Sequence, residues 1–155
     1  MLPVKLSIHL MIAHPEFTLQ RWLSLENVEH IFVHEETVAN FSEIVDQVHA
    51  RGKKIGLAFN PETSLTPLVE KIGLSDMIMI LGVVPGASGQ QILPDTFEKI
   101  SEAKKLFPHL TVVADGGGTL QNKKRLLDSG ADILASFSAI FDADDPAAVY
   151  KELSA

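Results

Sequence analysis

The chain alternates between short runs of aliphatic and β-branched residues and stretches in which apolar residues recur every three or four positions. The runs predict strands, and the stretches between them predict amphipathic helices. The predicted strands lie near Leu6–Ile12, His30–Glu35, Lys54–Asn60, Met77–Val83, Leu110–Asp115 and Ile133–Phe137. The predicted helices lie near Phe17–Leu25, Val38–Arg51, Leu65–Ile72, Asp95–Phe107, Leu120–Ser129 and Pro146–Leu153. This order predicts an α/β fold of about six βα units, with a parallel sheet and right-handed crossovers.

Polar residues gather where the predicted strands end rather than where they begin. The residues at these ends are His9, His34, Glu35, Glu36, Asn60, Gly86–Gln90, Asp115, Ser136 and Ser138. In parallel α/β folds the carboxyl ends of the strands share one rim, and ligands bind there. We therefore expect a site at this rim.

The segment Val112–Thr119, VVADGGGT, is the strongest single signal. A buried strand ends in the carboxylate of Asp115, three glycines follow, and Thr119 is placed to cap a helix. Glycines adopt positive φ and bring backbone N–H groups close to a ligand. A carboxylate at this place can move a proton or hold a metal. The alternative is an ordinary βα turn in which Asp115 only accepts backbone hydrogen bonds.

A second loop, Val84–Gln91, contains two glycines and a serine and precedes a helix, so it can bind an anion through N–H groups. Its glycines are equally well explained as turn residues. His9 lies in an apolar strand, where a histidine is usually a core residue, and Met11 should share its face. His34 and Glu35 form a candidate acid–base pair or two solvated strand-end residues.

Composition limits the classes of function. The chain of 155 residues, 46% hydrophobic and 21% charged, predicts a single soluble domain over residues 1–155. Its net charge of −7 argues against nucleic acid and anionic membranes as partners. No run is long and apolar enough to span a membrane, and the N-terminus has no leader layout. We therefore expect a cytoplasmic protein, which has no cysteine for disulfides.

The motifs, in this order, resemble those of the ribulose-phosphate 3-epimerases. They are SIHLMIAHP (7–15), IFVHEE (31–36), GLAFNPET (56–63), VVPGASGQQILP (83–94), VVADGGG (112–118) and SAIFDADDP (138–146). The resemblance covers nearly the whole chain. It implies a TIM-barrel-like (β/α) fold and a phosphorylated pentose as ligand.

The resemblance also implies roles for particular residues. In that family two aspartates on opposite faces of the substrate exchange the C3 proton, and a divalent metal of zinc, iron or manganese type stabilises the enediolate. By position, Asp115 would be acid/base and metal ligand, and His9 a metal ligand. Residues that would line the substrate or its phosphate are Met11, Gly86, Ser88, Gly89, Gly116, Gly117 and Ser138.

The chain departs from the family pattern at its beginning, which resembles the family's third strand. The two βα units before it would carry the second aspartate, the second metal-binding histidine and a substrate-binding serine. Val84 and Phe137 replace an asparagine and a glycine of the family. We therefore expect an incomplete or narrowed barrel and a homo-oligomer formed through exposed sheet edges. Epimerase activity, a degraded phosphosugar-binding homologue, and a partial barrel completed by another chain remain open.

Overall fold

The computed structural model describes residues 4–155, so the first three residues of the N-terminal segment discussed above lie outside it. Six parallel strands form one sheet in sequence order, β1-β2-β3-β4-β5-β6. The strands are β1 (Leu6–Leu10), β2 (Val28–His34), β3 (Lys54–Phe59), β4 (Met77–Leu81), β5 (Thr111–Asp115) and β6 (Ile133–Ala135). The predicted parallel sheet of six βα units is therefore confirmed.

Helices connect the strands in the predicted order. The α-helices are α1 (Glu16–Leu23), α2 (Phe41–His49), α3 (Val69–Ile72), α4 (Thr96–Leu106), α5 (Lys123–Asp128), α6 (Ser138–Phe141) and α7 (Pro146–Ser154). Two short 3₁₀ turns, Glu35–Thr37 and Thr66–Leu68, add to them. Helix α2 illustrates how the spacing of apolar residues predicts a helix, because Phe41, Ile44 and Val48 are all buried on one face. Asn40 caps its N-terminus by accepting a hydrogen bond from the backbone N–H three residues further along the chain.

Several predicted boundaries are wrong by a few residues. The strands predicted to end at Ile12, Val83 and Phe137 stop two residues earlier, because strand pairing ends there although apolar residues continue. The helix predicted from Leu120 begins at Lys123, so Thr119 does not cap it. Helix α6, only four residues long, was not predicted.

The sheet buries both of its faces in the central strands and only one in the edge strands. Helices cover the outer face, where Ile31, Leu57, Ile80 and Val112 belong to the main core. On the inner face a second cluster consists of Phe32, Ala58, Met77, Met79, Leu81 and Val113. Gly56 leaves room for Phe32 in this layer, since a Cβ there would lie 2.2 Å from the ring. Strands buried on both faces read as continuous apolar runs, which made them predictable.

Two aspartates fix the starts of alternate strands in the same way. Asp76 precedes β4, and its Oδ2 atom accepts the N–H of Ile55 on β3 at 2.9 Å. Asp132 precedes β6, and its Oδ2 atom accepts the N–H of Val112 on β5 at 2.7 Å. The backbone N–H of each aspartate donates to the carbonyl of the same strand residue, at 2.9 and 2.8 Å. These paired bonds align neighbouring strands and so hold their carboxyl ends at one level.

The sheet curls but does not close within residues 4–155, because β1 pairs only with β2 and β6 only with β5. The prediction of an incomplete barrel is thus confirmed, and a narrowed closed barrel is not formed by the described residues. The inner faces of both edge strands are open, with Ser7 exposed and Ile133 43% exposed. None of the helices in the described part of the chain combines the length and hydropathy that a bilayer crossing needs.

Candidate active site at the carboxyl ends of the strands

A cavity of about 350 Å³ opens at the carboxyl ends of β4, β5 and β6. It contains the two glycine-rich loops that the sequence singled out, together with the end of β5. Its lining residues are Met11, Leu81, Val83, Pro85, Gly86, Ala87, Ser88, Gly89, Gln90, Asp115, Gly116, Gly117, Gly118, Ala135, Ser136, Phe137 and Ser138. The structure therefore brings together Asp115, Met11 and every predicted phosphate-binding residue.

The triple-glycine turn after β5 is held by both backbone conformation and packing. Gly116 and Gly117 have φ of 89° and 72°, which favours glycine. A Cβ on Gly117 would lie 2.8 Å from the backbone of Ile92, so this turn packs closely against the residue that follows the first glycine-rich loop. Asn122 fastens the turn: its Nδ2 donates to the Gly117 carbonyl and its Oδ1 accepts the N–H of Thr119, both at 2.8 Å.

The loop after β4 is less tightly packed and is braced by its own glutamine. Gly86 and Gly89 have φ of 132° and 77°, and open space lies where their side chains would be. Gln90 Nε2 donates to the carbonyls of Val84 and Ala87 at 2.7 and 2.8 Å. The side chain of Gln90 therefore braces the loop, whose two glycines line the cavity.

Asp115 is the last residue of β5 and lines the cavity, with 27% of its side chain exposed. Its Oδ2 atom lies 3.2 Å from Nδ1 of His9 on β1. Three strands separate β1 from β5 in the sheet, so this contact exists only because the sheet curls strongly. Asp115 thus has a side-chain partner, which the alternative of a carboxylate that only accepts backbone hydrogen bonds does not include.

Behind His9 lies a buried histidine with a carboxylate partner. Nε2 of His9 is 2.9 Å from Nε2 of His34, and Nδ1 of His34 is 3.2 Å from Oε2 of Glu36. Burial lowers the pKa of His34, and His9 lowers it further, while Glu36 opposes the shift. Burial by itself would raise the pKa of Glu36, but hydrogen bonds from Thr63 and from backbone N–H groups outweigh it, so the pKa is lowered.

Glu36 was missed as a site residue, whereas Glu35 was chosen. Glu35 forms an ion pair with Lys71 at 2.5 Å, does not line the cavity, and is not a hydrogen-bond partner of the His34 side chain, which pairs with His9 and Glu36. No alternation pattern marks Glu36, because β2 ends at His34 and Glu36 lies in the 3₁₀ turn Glu35–Thr37. His34 does contact the site, through His9, and it is buried rather than solvated.

Phe137 stands where the family pattern has a glycine. It lines the cavity beside Ser138, is 62% exposed, and packs against Phe141 with ring centroids 5.0 Å apart. The ring therefore narrows one side of the cavity without filling it.

The described residues do not by themselves fit a tightly bound metal. Nδ1 of His9 and Oδ2 of Asp115 face each other and would be two donors for one cation. Catalytic zinc sites usually have three protein ligands. Within residues 4–155 no group of three or more His, Asp or Glu side chains is placed to hold a metal ion.

Comparison with known proteins finds a matching family and relatives over almost the whole chain. The family model described as "Ribulose-phosphate 3 epimerase family" matches residues 1–141. The chain is 31% identical to the ribulose-phosphate 3-epimerase of Schizosaccharomyces pombe over 148 residues, and 33% identical to that of Chlamydia muridarum over 145 residues. These alignments cover 94% and 90% of this chain and 63% of each relative. The chain thus spans a little under two thirds of the length of these relatives.

Solved structures share the fold. A mutant tryptophan synthase alpha-subunit from Pyrococcus furiosus superposes with a TM-score of 0.69 at 18% identity, covering 96% of this chain and 64% of that one. The 3-hexulose-6-phosphate synthase of Salmonella typhimurium gives 0.66 at 17% identity, covering 91% and 66%. At these identities the likeness shows the fold: the six strands correspond to part of a TIM-barrel-like structure.

Proposed function

The chain belongs to the ribulose-phosphate 3-epimerase family, and from this membership we propose that it supplies one catalytic carboxylate and the phosphate site for interconverting ribulose 5-phosphate and xylulose 5-phosphate. The observation that carries the proposal is the position of Asp115. Asp115 lines the same cavity as both glycine-rich loops. A phosphate held by the loops would place the sugar carbons in front of Asp115. We take residues 1–155 as one domain in this proposal.

Asp115 would act as the base that removes the C3 proton. This proton is acidic because C3 is next to the C2 carbonyl, so the electron pair released from the C–H bond moves onto the carbonyl oxygen and gives an enediolate. Returning the proton to the same face regenerates ribulose 5-phosphate. Delivering a proton to the opposite face gives xylulose 5-phosphate.

Backbone and hydroxyl groups would hold the phosphate. Within residues 4–155 no lysine or arginine lines the cavity. The positive-φ glycines of both loops and the hydroxyls of Ser88, Ser136 and Ser138 line it instead. N–H groups and hydroxyls of this kind bind phosphate without a cationic side chain, which is consistent with the acidic net charge.

Proton return from the opposite face is the step that needs a further group. Among the described residues, Asp115 is the only ionisable side chain that lines the cavity. We therefore expect the purified chain to exchange the C3 hydrogen of ribulose 5-phosphate with solvent faster than it forms xylulose 5-phosphate. The measurement is proton NMR in D₂O, which follows loss of the C3 signal and appearance of the product together.

The outcome separates the candidate functions. Exchange that exceeds conversion supports Asp115 as a one-sided base, and equal rates would show that a second proton carrier is present. No exchange with the folded protein, at any divalent metal added, would contradict the proposed activity. Binding of the phosphosugar without exchange would then favour the degraded binding homologue.

A metal at this site stays part of the proposal. Ribulose-phosphate 3-epimerases generally depend on a divalent metal. His9 and Asp115 supply two donors here, so a bound ion would need further ligands from outside the described residues. We therefore assign no step of the reaction to a metal.

We also propose that the open sheet edges make the chain a homo-oligomer. β1 and β6 each have an unpaired edge in residues 4–155, and Ile133, Phe137 and Phe141 are exposed at the β6 end. Unpaired edges and exposed apolar residues promote association. We expect light scattering after size-exclusion chromatography to give at least twice the 16.9 kDa chain mass at micromolar concentration. A monodisperse 16.9 kDa species would contradict this.

A further inference from the structure

Phe137 places an aromatic ring in the wall of the cavity, next to the groups that are proposed to bind phosphate. Its neighbours in the chain, Ser136 and Ser138, line the same cavity. The hydroxyl of Ser136 donates to the carbonyl of Gly118 at 3.0 Å, which ties the end of β6 to the triple-glycine turn. Phe137 therefore lies at the phosphate end of the cavity, where the family pattern has a glycine.

The pairing of β5 with β6 indicates which part of a bound sugar would meet Phe137. Asp115 pairs with Ala135, and both residues line the cavity. Phe137 follows two residues later, beyond the end of β6 and directly before α6. A sugar whose C3 lies at Asp115 and whose phosphate lies at the glycine-rich loops would therefore meet Phe137 at its ester end rather than at C3.

The backbone and a second ring hold Phe137 in place. Its carbonyl accepts the N–H groups of Ile140 and Phe141 at 3.0 and 2.9 Å, so the residue is fixed at the start of α6. Its φ of −116° is negative, so the backbone conformation does not require the glycine of the family pattern. The ring packs against that of Phe141, with centroids 5.0 Å apart. The phenyl ring thus has a defined place in the wall of the cavity.

An aromatic wall favours apolar atoms of a ligand over hydroxyl groups. Phe137 is 62% exposed, so a ligand in the cavity can cover much of its apolar surface. A methylene group placed against the ring is stabilised because both apolar surfaces leave water. A hydroxyl group in the same place would lose hydrogen bonds to water and gain none from the ring. The wall therefore discriminates between ligands by what is attached to the carbon that bears the phosphate.

We propose that Phe137 is a specificity-determining residue that selects primary phosphate esters, in which the carbon bearing the phosphate is a methylene group. In a secondary ester this carbon carries a further carbon substituent, and the ring of Phe137 occupies the space that the substituent needs. A glycine at this position would leave the space open. The selection rests on the proposed function for the place of the phosphate, but not for proton transfer by Asp115.

Glycerol 1-phosphate and glycerol 2-phosphate test the selection because they are isomers with the same charge. The first is a primary ester, whereas in the second the carbon that bears the phosphate carries two hydroxymethyl groups. Their dissociation constants are measured by NMR titration of the backbone amide signals of Gly116, Gly117 and Gly118. We expect the primary ester to bind at least about 10-fold more tightly, the usual discrimination for one carbon group in an apolar site.

Three variants show whether the ring of Phe137 is the cause. Phe137→Ala should bring the two dissociation constants to within about threefold of each other, because the carbon group then meets open space. Phe137→Tyr keeps the ring and should keep the preference. Phe17→Ala is the matched control, since Phe17 is 83% exposed on α1 and does not line the cavity. It should change neither dissociation constant.

The kinetics of C3 exchange give a second readout. With ribulose 5-phosphate, Phe137→Ala should raise KM by about 10-fold and leave kcat nearly unchanged, because the ring contacts the ester end in both the ground state and the transition state. A lower kcat at unchanged KM would place the ring at the reacting carbon and overturn the selective role.

The results keep the role of Phe137 apart from the proposed function. Equal binding of the two isomers by the unmodified protein, or an unaltered preference in Phe137→Ala, would overturn that role even if C3 exchange is observed. Binding of neither isomer would overturn it as well, because the phosphate would then not bind at the loops. A preference for the primary ester that Phe137→Ala abolishes, without C3 exchange of ribulose 5-phosphate, would support the role of Phe137 and contradict the proposed activity.

Discussion

Asp115→Asn should lower C3 exchange by roughly 10²-fold to 10⁴-fold, the usual contribution of a positioned general base. Asparagine has nearly the same shape as aspartate but cannot accept a proton at neutral pH. Within residues 4–155 no other ionisable side chain lines the cavity, so none can take over the step. The measurement is loss of the C3 proton signal of ribulose 5-phosphate in D₂O.

The same substitution should leave folding and phosphate binding nearly unchanged. The backbone carbonyl of Asp115 accepts the N–H of Gly82 at 2.7 Å, and this bond does not depend on the side chain. Asp128→Asn is the matched control, since Asp128 is exposed on α5 and pairs only with Lys124 among the described residues. Exchange in Asp115→Asn within a few fold of the unmodified protein, at equal urea midpoints, would rule out Asp115 as the base.

The fold was predictable because parallel strands that are buried on both faces consist of uninterrupted apolar residues. Met77–Leu81 and Ile55–Phe59 are buried at every position. A short apolar run without alternation therefore sufficed to identify each as a strand. Strand ends were less predictable, because Val83 and Phe137 are apolar yet lie beyond the last paired residue. Helix α6 has four residues, too few for a helical repeat to appear.

The site was predictable to the extent that its residues follow strands directly. Asp115 and the glycines on either side of the cavity do so. Glu36 does not, because its direction is set by the 3₁₀ turn Glu35–Thr37 and by donors in the loop after β3, Asn60 and Thr63, which are 24 and 27 residues away along the chain. The contact of His9 with Asp115 depends on the curl of the whole sheet, and this curl cannot be predicted from the residues of any one segment.

Gly117→Ala should lower the free energy of unfolding by about 3 kcal/mol. Two costs add. A left-handed conformation costs an alanine about 1–2 kcal/mol, and Gly117 has φ of 72°. The new Cβ would also lie 2.8 Å from the backbone of Ile92, and relieving such overpacking costs about 1–3 kcal/mol. Urea unfolding followed by circular dichroism measures the sum.

Gly52→Ala separates the two costs. Gly52 follows α2 with a similar φ of 65°, but nothing lies within 4 Å of where its Cβ would be. It should therefore lose only the conformational part, about 1 kcal/mol. The difference between the variants reports the contact of the triple-glycine turn with Ile92, the residue that directly follows the first glycine-rich loop. Relief of that contact requires the turn to move away from Ile92, so Gly117→Ala should also weaken phosphate binding by isothermal titration, and Gly52→Ala should not. Equal destabilisation by the two substitutions would mean that the turn yields without cost, and that its close packing against Ile92 does not hold the phosphate site in shape.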